Sequence, residues 1–198
     1  NVTMDNIEIK TYSNATINMT VKDQFGRTLI TNTTVTIKIN GKTFTKTVIQ
    51  DGKLNITLDL SGLSAKNYTI DVVYGENGIY YAEDIKANLT VINRDVNIKI
   101  NTQNTHTHGK LPISAVVRDD DGNLVKNGSV IVKINGQTIR DEDGNAIKYK
   151  VVDGIVMGIY QLPNSMSARN YNITFVYSNK GYNRGEETST FTVEKTNV

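Results

Sequence analysis

The chain has 198 residues with 22 Lys and Arg, 20 Asp and Glu and a formal net charge of +2, and its basic residues do not gather in either half. Nucleic-acid binding needs a concentrated basic face, a membrane span needs about 18 consecutive apolar residues, and disulfides or thiolate chemistry need cysteine. The sequence contains none of these. We therefore expect no nucleic-acid partner, no membrane span in this segment and no cysteine-based site.

The composition favours strands over helices. Thr, Val, Ile and Tyr favour strands and Asn favours turns, and the chain holds 24 Thr and 24 Asn but only two Pro. Hydrophobic residues make up 38% of the chain, which is enough for small cores in two domains of about 100 residues each. No segment keeps a helical period beyond a turn or two, so we expect an all-β chain.

In chain order, the first half predicts six or seven short strands. An opening strand is expected at residues 7–10, and after it apolar and polar residues alternate with the period of two that marks a half-buried strand. Turn residues separate the strands, most clearly at Asn40 and Gly41, a hairpin signal that recurs at Asn135 and Gly136. The core-facing residues expected in the later strands are Ile17, Met19, Val21, Val35, Ile37, Ile39, Leu54, Ile56, Leu58, Leu60, Tyr68, Ile70, Val72, Tyr74, Ala87, Leu89 and Val91.

The second half of the chain repeats the first. The matched blocks are residues 21–26 with 117–122 at an offset of 96, residues 34–41 with 129–136 at an offset of 95, and residues 63–74 with 166–177 at an offset of 103. The increase in offset predicts a surface insertion near residues 140–146 of the second copy. We predict two tandem immunoglobulin-like (Ig-like) β-sandwich domains, 1–93 and 94–198, each with two packed antiparallel sheets.

Two tyrosines in each copy share one face of the penultimate strand. Tyr68 and Tyr74 lie six residues apart, and their counterparts are Tyr171 and Tyr177. A tyrosine buries a large ring while its hydroxyl finds a partner at the rim, as in the tyrosine corner of such sandwiches. We therefore predict a structural role for these four residues.

Several segments resemble a known family. They are residues 21–26, residues 67–75, Tyr80, Tyr81 and residues 89–91. These segments are similar to bacterial-type Ig-like (Big) repeats, and with the Asn- and Thr-rich composition the chain most resembles the adhesin-like cell-surface proteins of methanogenic archaea. Asn67 and Asn170 depart from the pattern, because the family often has Gly before this Tyr. The resemblance implies a cell-surface, extracellular location and a role in cell adhesion, with neighbouring Ig-like repeats of the same chain as partners and no fixed ligand residue or cofactor.

N-glycosylation sequons are the most numerous motif in the chain. Composition alone would give about four Asn-x-Ser/Thr sites, and the sequence has nine. The acceptor residues are Asn1, Asn14, Asn18, Asn32, Asn55, Asn67, Asn88, Asn127 and Asn172. Asn32 and Asn127 occupy the same repeat position. We treat these residues as candidate N-glycosylation sites, which favours an extracellular location.

Two acidic clusters and a histidine pair are candidate metal sites. Residues 119–122 and 141–145 are rich in oxygen ligands, but neither has the Gly at position six that a calcium-binding EF-hand loop requires. Asp-Gly turns explain both clusters. His106 and His108 have no evident third ligand. We therefore expect no metal and no cofactor.

The sequence offers few residues that could act as a catalytic nucleophile or base. With two His and no Cys, nucleophile–base triads are almost excluded, and no glycine-rich phosphate loop occurs. A buried Lys can condense with an Asn on a neighbouring strand in surface Ig-like domains, and the candidate pair here is Lys10 with Asn88. We expect that the chain is not an enzyme.

Three functions fit these observations. The first is a stalk or spacer segment of an adhesin-like surface protein. The second is direct binding of a host or microbial cell-surface glycan or protein by end loops, with Tyr80, Tyr81 and Tyr182 as the candidate ligand residues. The third is an accessory module of a larger surface enzyme.

Overall fold

The computed structural model describes residues 4–30 and 32–196, and every regular element within them is a β-strand. The prediction of an all-β chain is confirmed. The chain forms two compact units, Asn1–Asn93 and Arg94–Val198, which we name unit 1 and unit 2. The described residues include no helix that is long and apolar enough to cross a membrane.

Unit 1 is built from seven strands in two layers. The strands are β1 (Ile7–Lys10), β2 (Asn14–Thr20), β3 (Thr33–Ile39), β4 (Lys42–Ile49), β5 (Lys53–Asp59), β6 (Lys66–Tyr74) and β7 (Glu83–Ile92). One sheet has the order β1-β7-β6-β3-β4, and β2 pairs with β5 in the other. Alternate side chains of both sheets fill the space between them, and Val35, Ile37 and Ile70 there are completely buried. Burying each such side chain contributes roughly 1.5–3 kcal/mol.

The first strand departs from the antiparallel arrangement that we expected. β1 runs parallel to β7, with Ile7 opposite Leu89 and Lys10 opposite Ile92. The alternation of apolar residues along β1 is the same whichever way its neighbour runs, so the sequence pattern cannot predict the direction of pairing.

Unit 2 has the same plan with more interruptions. Its strands are β8 (Val96–Ile100), β9 (Thr105–His106), β10 (Lys110–Asp119), β11 (Asn127–Ile134), β12 (Gln137–Thr138), β13 (Lys148–Val152), β14 (Ile155–Gln161), β15 (Arg169–Ser178) and β16 (Gly185–Glu194). The opening strand is split, so that β8 pairs with β10 while β9 runs parallel to β16. Strand β13 pairs with both β11 and β14, which joins the two layers into one continuous path, β8-β10-β14-β13-β11-β15-β16-β9.

The inserted residues of the second copy lie on the surface between β12 and β13. Residues 140–145 are exposed, whereas Ile139 before them and Tyr149 after them are buried. The carboxylate of Asp141 accepts a hydrogen bond from the amide of Asn145 at 2.7 Å, and the amide of Gly144 donates to the Asp141 carbonyl at 3.0 Å. The insertion is therefore a self-contained turn that leaves the core undisturbed.

The paired tyrosines are buried and hydrogen-bonded in both units. The Tyr68 hydroxyl donates to the Ser64 carbonyl at 3.0 Å, and the Tyr171 hydroxyl donates to the Ser167 carbonyl at 2.9 Å. Each bond closes a local corner four residues upstream of the ring, which is the tyrosine-corner geometry.

The cores of the two units differ by an exchange of large and small residues. Tyr149 and Gly158 lie on β13 and β14, and in unit 1 the same repeat positions are occupied by Thr47 and Ile56. A Cβ on Gly158 would lie 2.3 Å from the Tyr149 ring. The ring can therefore occupy this position only because residue 158 has no side chain. Burial raises the pKa of Tyr149 to about 12, with a further contribution from Tyr160.

Replacing Gly158 by Ala is expected to destabilise unit 2 by about 1–3 kcal/mol, because an added methyl group overpacks the site. In a Tyr149→Thr background the same change should cost less than about 0.5 kcal/mol, since the clashing ring is gone. Denaturant titration with hydrogen exchange of the β14 amides measures both values. Gly62→Ala is the control, because its Cβ would meet nothing within 4 Å. Equal costs of Gly158→Ala in the two backgrounds would contradict the interpretation.

Candidate functional site

An open groove of about 680 Å³ lies at one end of unit 1. Its walls come from the connection between β2 and β3 and from the connection between β6 and β7. The residues that give it its character are Phe25, Arg27, Ile30, Ile79, Tyr80 and Tyr81. Four of these lining residues, Phe25, Ile30, Ile79 and Tyr81, are large apolar residues that are exposed, and contiguous exposed apolar residues are typical of binding sites.

The β2–β3 wall is held by the carboxylate of Asp23. It accepts hydrogen bonds from the amides of Phe25 and Arg27, both at 2.9 Å, and Gly26 supplies the positive φ of 77° that the turn requires. The Arg27 side chain returns to the same carboxylate through Nε and Nη2, each at 2.8 Å. Its guanidinium carbon also lies 5.0 Å from the centre of the Phe25 ring. The turn therefore holds Phe25 in place with 71% of its surface exposed.

The charge on Asp23 is maintained by its own turn. Desolvation acts to raise the pKa of this carboxyl, but the hydrogen bonds from Arg27 and Phe25 and the Arg27 charge outweigh it and hold the pKa below the usual value. A carboxylate engaged in this way is a structural anion and a poor general base. Asp23 therefore serves to hold the turn.

The β6–β7 wall is organised by Asn77. Its side-chain nitrogen donates to the hydroxyl of the buried Tyr74 at 2.8 Å, and its side-chain oxygen accepts from the amides of Ile79 at 2.8 Å and Tyr80 at 2.9 Å. The Tyr80 ring packs edge-on against Tyr74 with centroids 6.4 Å apart. Ile79 and Tyr81 are left 62% and 87% exposed.

The structure gives the three candidate ligand tyrosines different environments. Tyr80 is half-buried against Tyr74, whereas Tyr81 next to it is exposed in the same groove. Tyr182 lies in unit 2, half-buried, and packs edge-on against Tyr177 with centroids 5.8 Å apart. Tyr80 and Tyr182 are thus equivalent packing residues, and Tyr81 is the one with a ring available to a ligand.

Sequence reasoning missed the other half of the groove. Phe25 and Ile30 are 71% and 78% exposed, and neither was proposed as a ligand residue. A signal was present in the repeat comparison, because the turn Asp-Gln-Phe-Gly at residues 23–26 matches Asp-Asp-Asp-Gly at residues 119–122. An aromatic residue at an exposed turn position is more informative than the turn motif itself.

Both acidic clusters form the same kind of turn as Asp23. The Asp119 carboxylate accepts from the amides of Asp121 at 3.0 Å and Asn123 at 2.8 Å, and Asp141 accepts from Asn145 at 2.7 Å. The described residues contain no group of three or more His, Asp or Glu placed to hold a metal ion.

The first of these clusters faces an arginine. Arg94 donates to the Asp121 carboxylate, and its Nη1 lies 3.7 Å from Asp119 and 3.5 Å from Asp120. Desolvation acts to lower the pKa of Arg94, but the hydrogen bond and charge of Asp121 and the charges of Asp119 and Asp120 raise it. The guanidinium supplies the positive charge that these carboxylates require.

The remaining candidate pairs are not brought together for chemistry. His106 ends β9 and lies 3.9 Å from Glu194, while His108 sits in the following turn with φ of 62°. On the neighbouring strands of unit 1, Lys10 pairs with Ile92 and Asn88 pairs with Thr69, so the register does not bring Lys10 opposite Asn88.

The sequon asparagines share one property. Each of those within the described residues is exposed, namely Asn14, Asn18, Asn32, Asn55, Asn67, Asn88, Asn127 and Asn172. Asn1 lies outside the described residues. Asn18 and Asn55 are direct partners across β2 and β5.

No family model and no curated protein matches the chain. Solved structures resemble it at low identity. A structure of tandem domains from titin is 14% identical with a TM-score of 0.51, and the match covers 98% of this chain and 64% of that one. The titin domains z1z2 in complex with telethonin are 11% identical with a TM-score of 0.48, covering 98% and 95%. The adhesin InvE of Yersinia pseudotuberculosis is 13% identical with a TM-score of 0.41, covering 97% and 58%. The likeness shows the fold and confirms the predicted class, two tandem Ig-like β-sandwich domains.

Proposed function

We propose that the chain is an extracellular segment of an adhesin-like cell-surface protein, in which the Ig-like repeats act as a stalk or spacer. The observation that carries this proposal is the short connection between the units. The amide of Thr11 donates to the Ile92 carbonyl in unit 1 at 2.8 Å, and the amide of Arg94 donates to the Gly181 carbonyl in unit 2 at 3.1 Å. Only Asn93 separates these two bonded residues, and a connection with so few free torsions suits a spacer.

The exposed sequons support the extracellular location. Glycan addition requires an accessible asparagine, and every sequon asparagine among the described residues is exposed. The resemblance to adhesin-like surface repeats points to the same location. The Asp23 carboxylate is engaged by its own turn, which is consistent with a structural role for that loop.

The spacer function predicts a narrow distance distribution between the units. Because the chain has no cysteine, spin labels on Lys46→Cys and Glu187→Cys, both on exposed strand positions, report one distance without background. Pulsed electron paramagnetic resonance should give a single narrow peak, and a flexible Gly-Ser linker inserted between Asn93 and Arg94 should broaden it. A native distribution as broad as that of the linker variant would count against a spacer.

A second candidate function is direct binding of a glycan or protein ligand in the unit 1 groove. The observation that favours it is the exposure of Tyr81 and Phe25 on opposite walls, at 87% and 71%. Aromatic rings at such positions supply large contact area at low entropic cost.

If the groove binds a cell-surface ligand, Tyr81→Ala should reduce binding about tenfold or more, because it removes an aromatic anchor. The readouts are a glycan array and saturable binding of the labelled chain to whole cells. Phe44→Ala is the matched control, since Phe44 is a 44% exposed aromatic of unit 1 on β4, outside the groove. Absence of saturable binding in both assays, or an equal loss with Phe44→Ala, would refute this function.

A further inference from the structure

The outward face of β14 in unit 2 carries a row of exposed apolar side chains. Alternate residues of a strand lie on one face of its sheet, and on the outward face of β14 these are Ile155, Met157 and Ile159. Met157 and Ile159 are 76% and 65% exposed, and Val152, which pairs with Ile155 from β13, is 61% exposed. A single exposed apolar residue is ordinary, whereas several on one face are typical of an interaction site.

Strand β10 widens this apolar surface. Its outward residues opposite Ile155 and Ile159 are Val116 and Pro112, and both are half-buried. The outward residue between them on β10 is the small Ser114. We name the resulting surface the apolar face, and it consists of Pro112, Val116, Val152, Ile155, Met157 and Ile159.

The repeat fold does not require this surface. In unit 1, β2 pairs with β5 as β10 pairs with β14 in unit 2. The outward residues of β5 at the positions of the β14 row are exposed and polar, namely Lys53, Asn55 and Thr57. Because the same two strands pair with polar outward rows in unit 1, strand pairing does not explain the apolar face of unit 2.

The charged residues on the strands around the apolar face are basic. The outward positions of β8, β10, β13 and β14 hold no carboxylate and five basic residues, which are Lys99, Lys110, Arg118, Lys148 and Lys150. Lys99 lies directly opposite Val116, and Lys150 lies two residues before Val152 on the same face of β13. In residues 4–30 and 32–196 none of the five forms an ion pair with a carboxylate. The apolar face therefore has a basic rim whose charges are not paired.

The charge of the rim decides which partner the apolar face fits. Two copies of this face packed together would bring their lysines together, and like charges across an interface are unfavourable. A nearly flat sheet face that entered a lipid bilayer would carry its lysines towards the hydrocarbon, where a charge is costly. A protein surface can instead place carboxylates beside the lysines while it covers the apolar side chains. The rim therefore favours an acidic protein over a second copy and over a membrane.

We propose that the apolar face of unit 2 binds a protein partner through a row of apolar side chains that is flanked by carboxylates. Side chains on one face of a strand repeat about every 7 Å, so the row on β14 matches a row of the same spacing on a partner strand. Two sheet faces of this kind pack about 10 Å apart. The partner surface is therefore itself the face of a β-sheet. This inference concerns unit 2 and depends neither on the spacer proposal nor on the unit 1 groove.

A charge-reversed copy of the chain supplies a probe with this chemistry. The changes Lys99→Glu, Lys110→Glu, Lys148→Glu and Lys150→Glu keep the apolar face and surround it with carboxylates. Sedimentation velocity at about 0.05 M salt should show a one-to-one complex of the native chain with this copy, at least about tenfold tighter than native self-association. Raising the salt to about 0.5 M should weaken the complex about fivefold or more, because the rim charges become screened.

Two variants of the native partner separate the apolar contribution from the charge. Met157→Asn with Ile159→Thr installs the unit 1 residues, and it should weaken the complex about tenfold or more because it removes the centre of the interface. Phe44→Thr with Val48→Thr is the matched control, since it removes two exposed apolar side chains from β4 of unit 1. The control should change the affinity less than about twofold.

The charge-reversed copy must keep the amide dispersion of the native chain in NMR spectra. If it does not, Lys99→Glu with Lys150→Glu takes its place, because these two residues lie on β8 and β13, on opposite sides of the apolar face. Vesicles of phosphatidylserine and phosphatidylcholine test the alternative partner, and the native chain should not sediment with them. The proposal is overturned if the native chain forms no complex with the charge-reversed copy, or if Met157→Asn with Ile159→Thr leaves the complex unchanged. Sedimentation with the vesicles that is lost in this double variant would also overturn it, in favour of a membrane.

Discussion

Each unit has one shared interior, and every strand must place one row of side chains in it. This constraint explains why inward positions change together. Unit 2 has Tyr149 against Gly158, and unit 1 has Thr47 and Ile56 at the same positions. The interior is packed at nearly constant density, so a larger residue on one strand requires a smaller one on its neighbour. The large Tyr149 is therefore accommodated beside a glycine, and the smaller Thr47 lies at the position beside an isoleucine.

The outward rows carry no such constraint, and there the repeats differ in chemistry. Asn55 on β5 and Met157 on β14 occupy the same repeat position, since each pairs with the equivalent residue of the neighbouring strand, Asn18 or Ser114. Both positions are exposed, Met157 to 76%. Unit 1 therefore presents two sequon asparagines on this face, where unit 2 presents Ser114 and the exposed Met157. A change of surface chemistry on an unchanged scaffold is how tandem repeats acquire different roles.

The sequence pattern was sufficient to predict features that depend on neighbouring residues in the chain. The period of two placed the opening strand at residues 7–10, and the spacing of Tyr68 and Tyr74 identified two buried rings. It was insufficient where the answer depends on distant segments. The parallel pairing of β1 with β7 joins residues about 80 positions apart, and the alternation carries no information about it. The sequence did not predict the groove for the same reason. Phe25 and Tyr81 are far apart in the chain, and only the fold places them in one groove. The sequence gives no way to distinguish Tyr80 from Tyr81. They differ because the Tyr80 ring packs against Tyr74, whereas Tyr81 is exposed.

One end of unit 2 contains a buried positive charge that must be paired. In unit 2 the Arg94 side chain is 9% exposed, and a guanidinium at that depth is tolerated because it is paired with carboxylates. Removing those carboxylates leaves a buried cation without compensation, which costs several kcal/mol. Unit 1 has Gln24 and Phe25 in place of Asp120 and Asp121 and keeps Asp23 in place of Asp119, so only one of the three carboxylates is present there. The turn itself is retained, because Asp23 bonds its own backbone in either case. The same turn geometry therefore carries carboxylates that pair with a buried arginine in unit 2 and an exposed phenylalanine in unit 1.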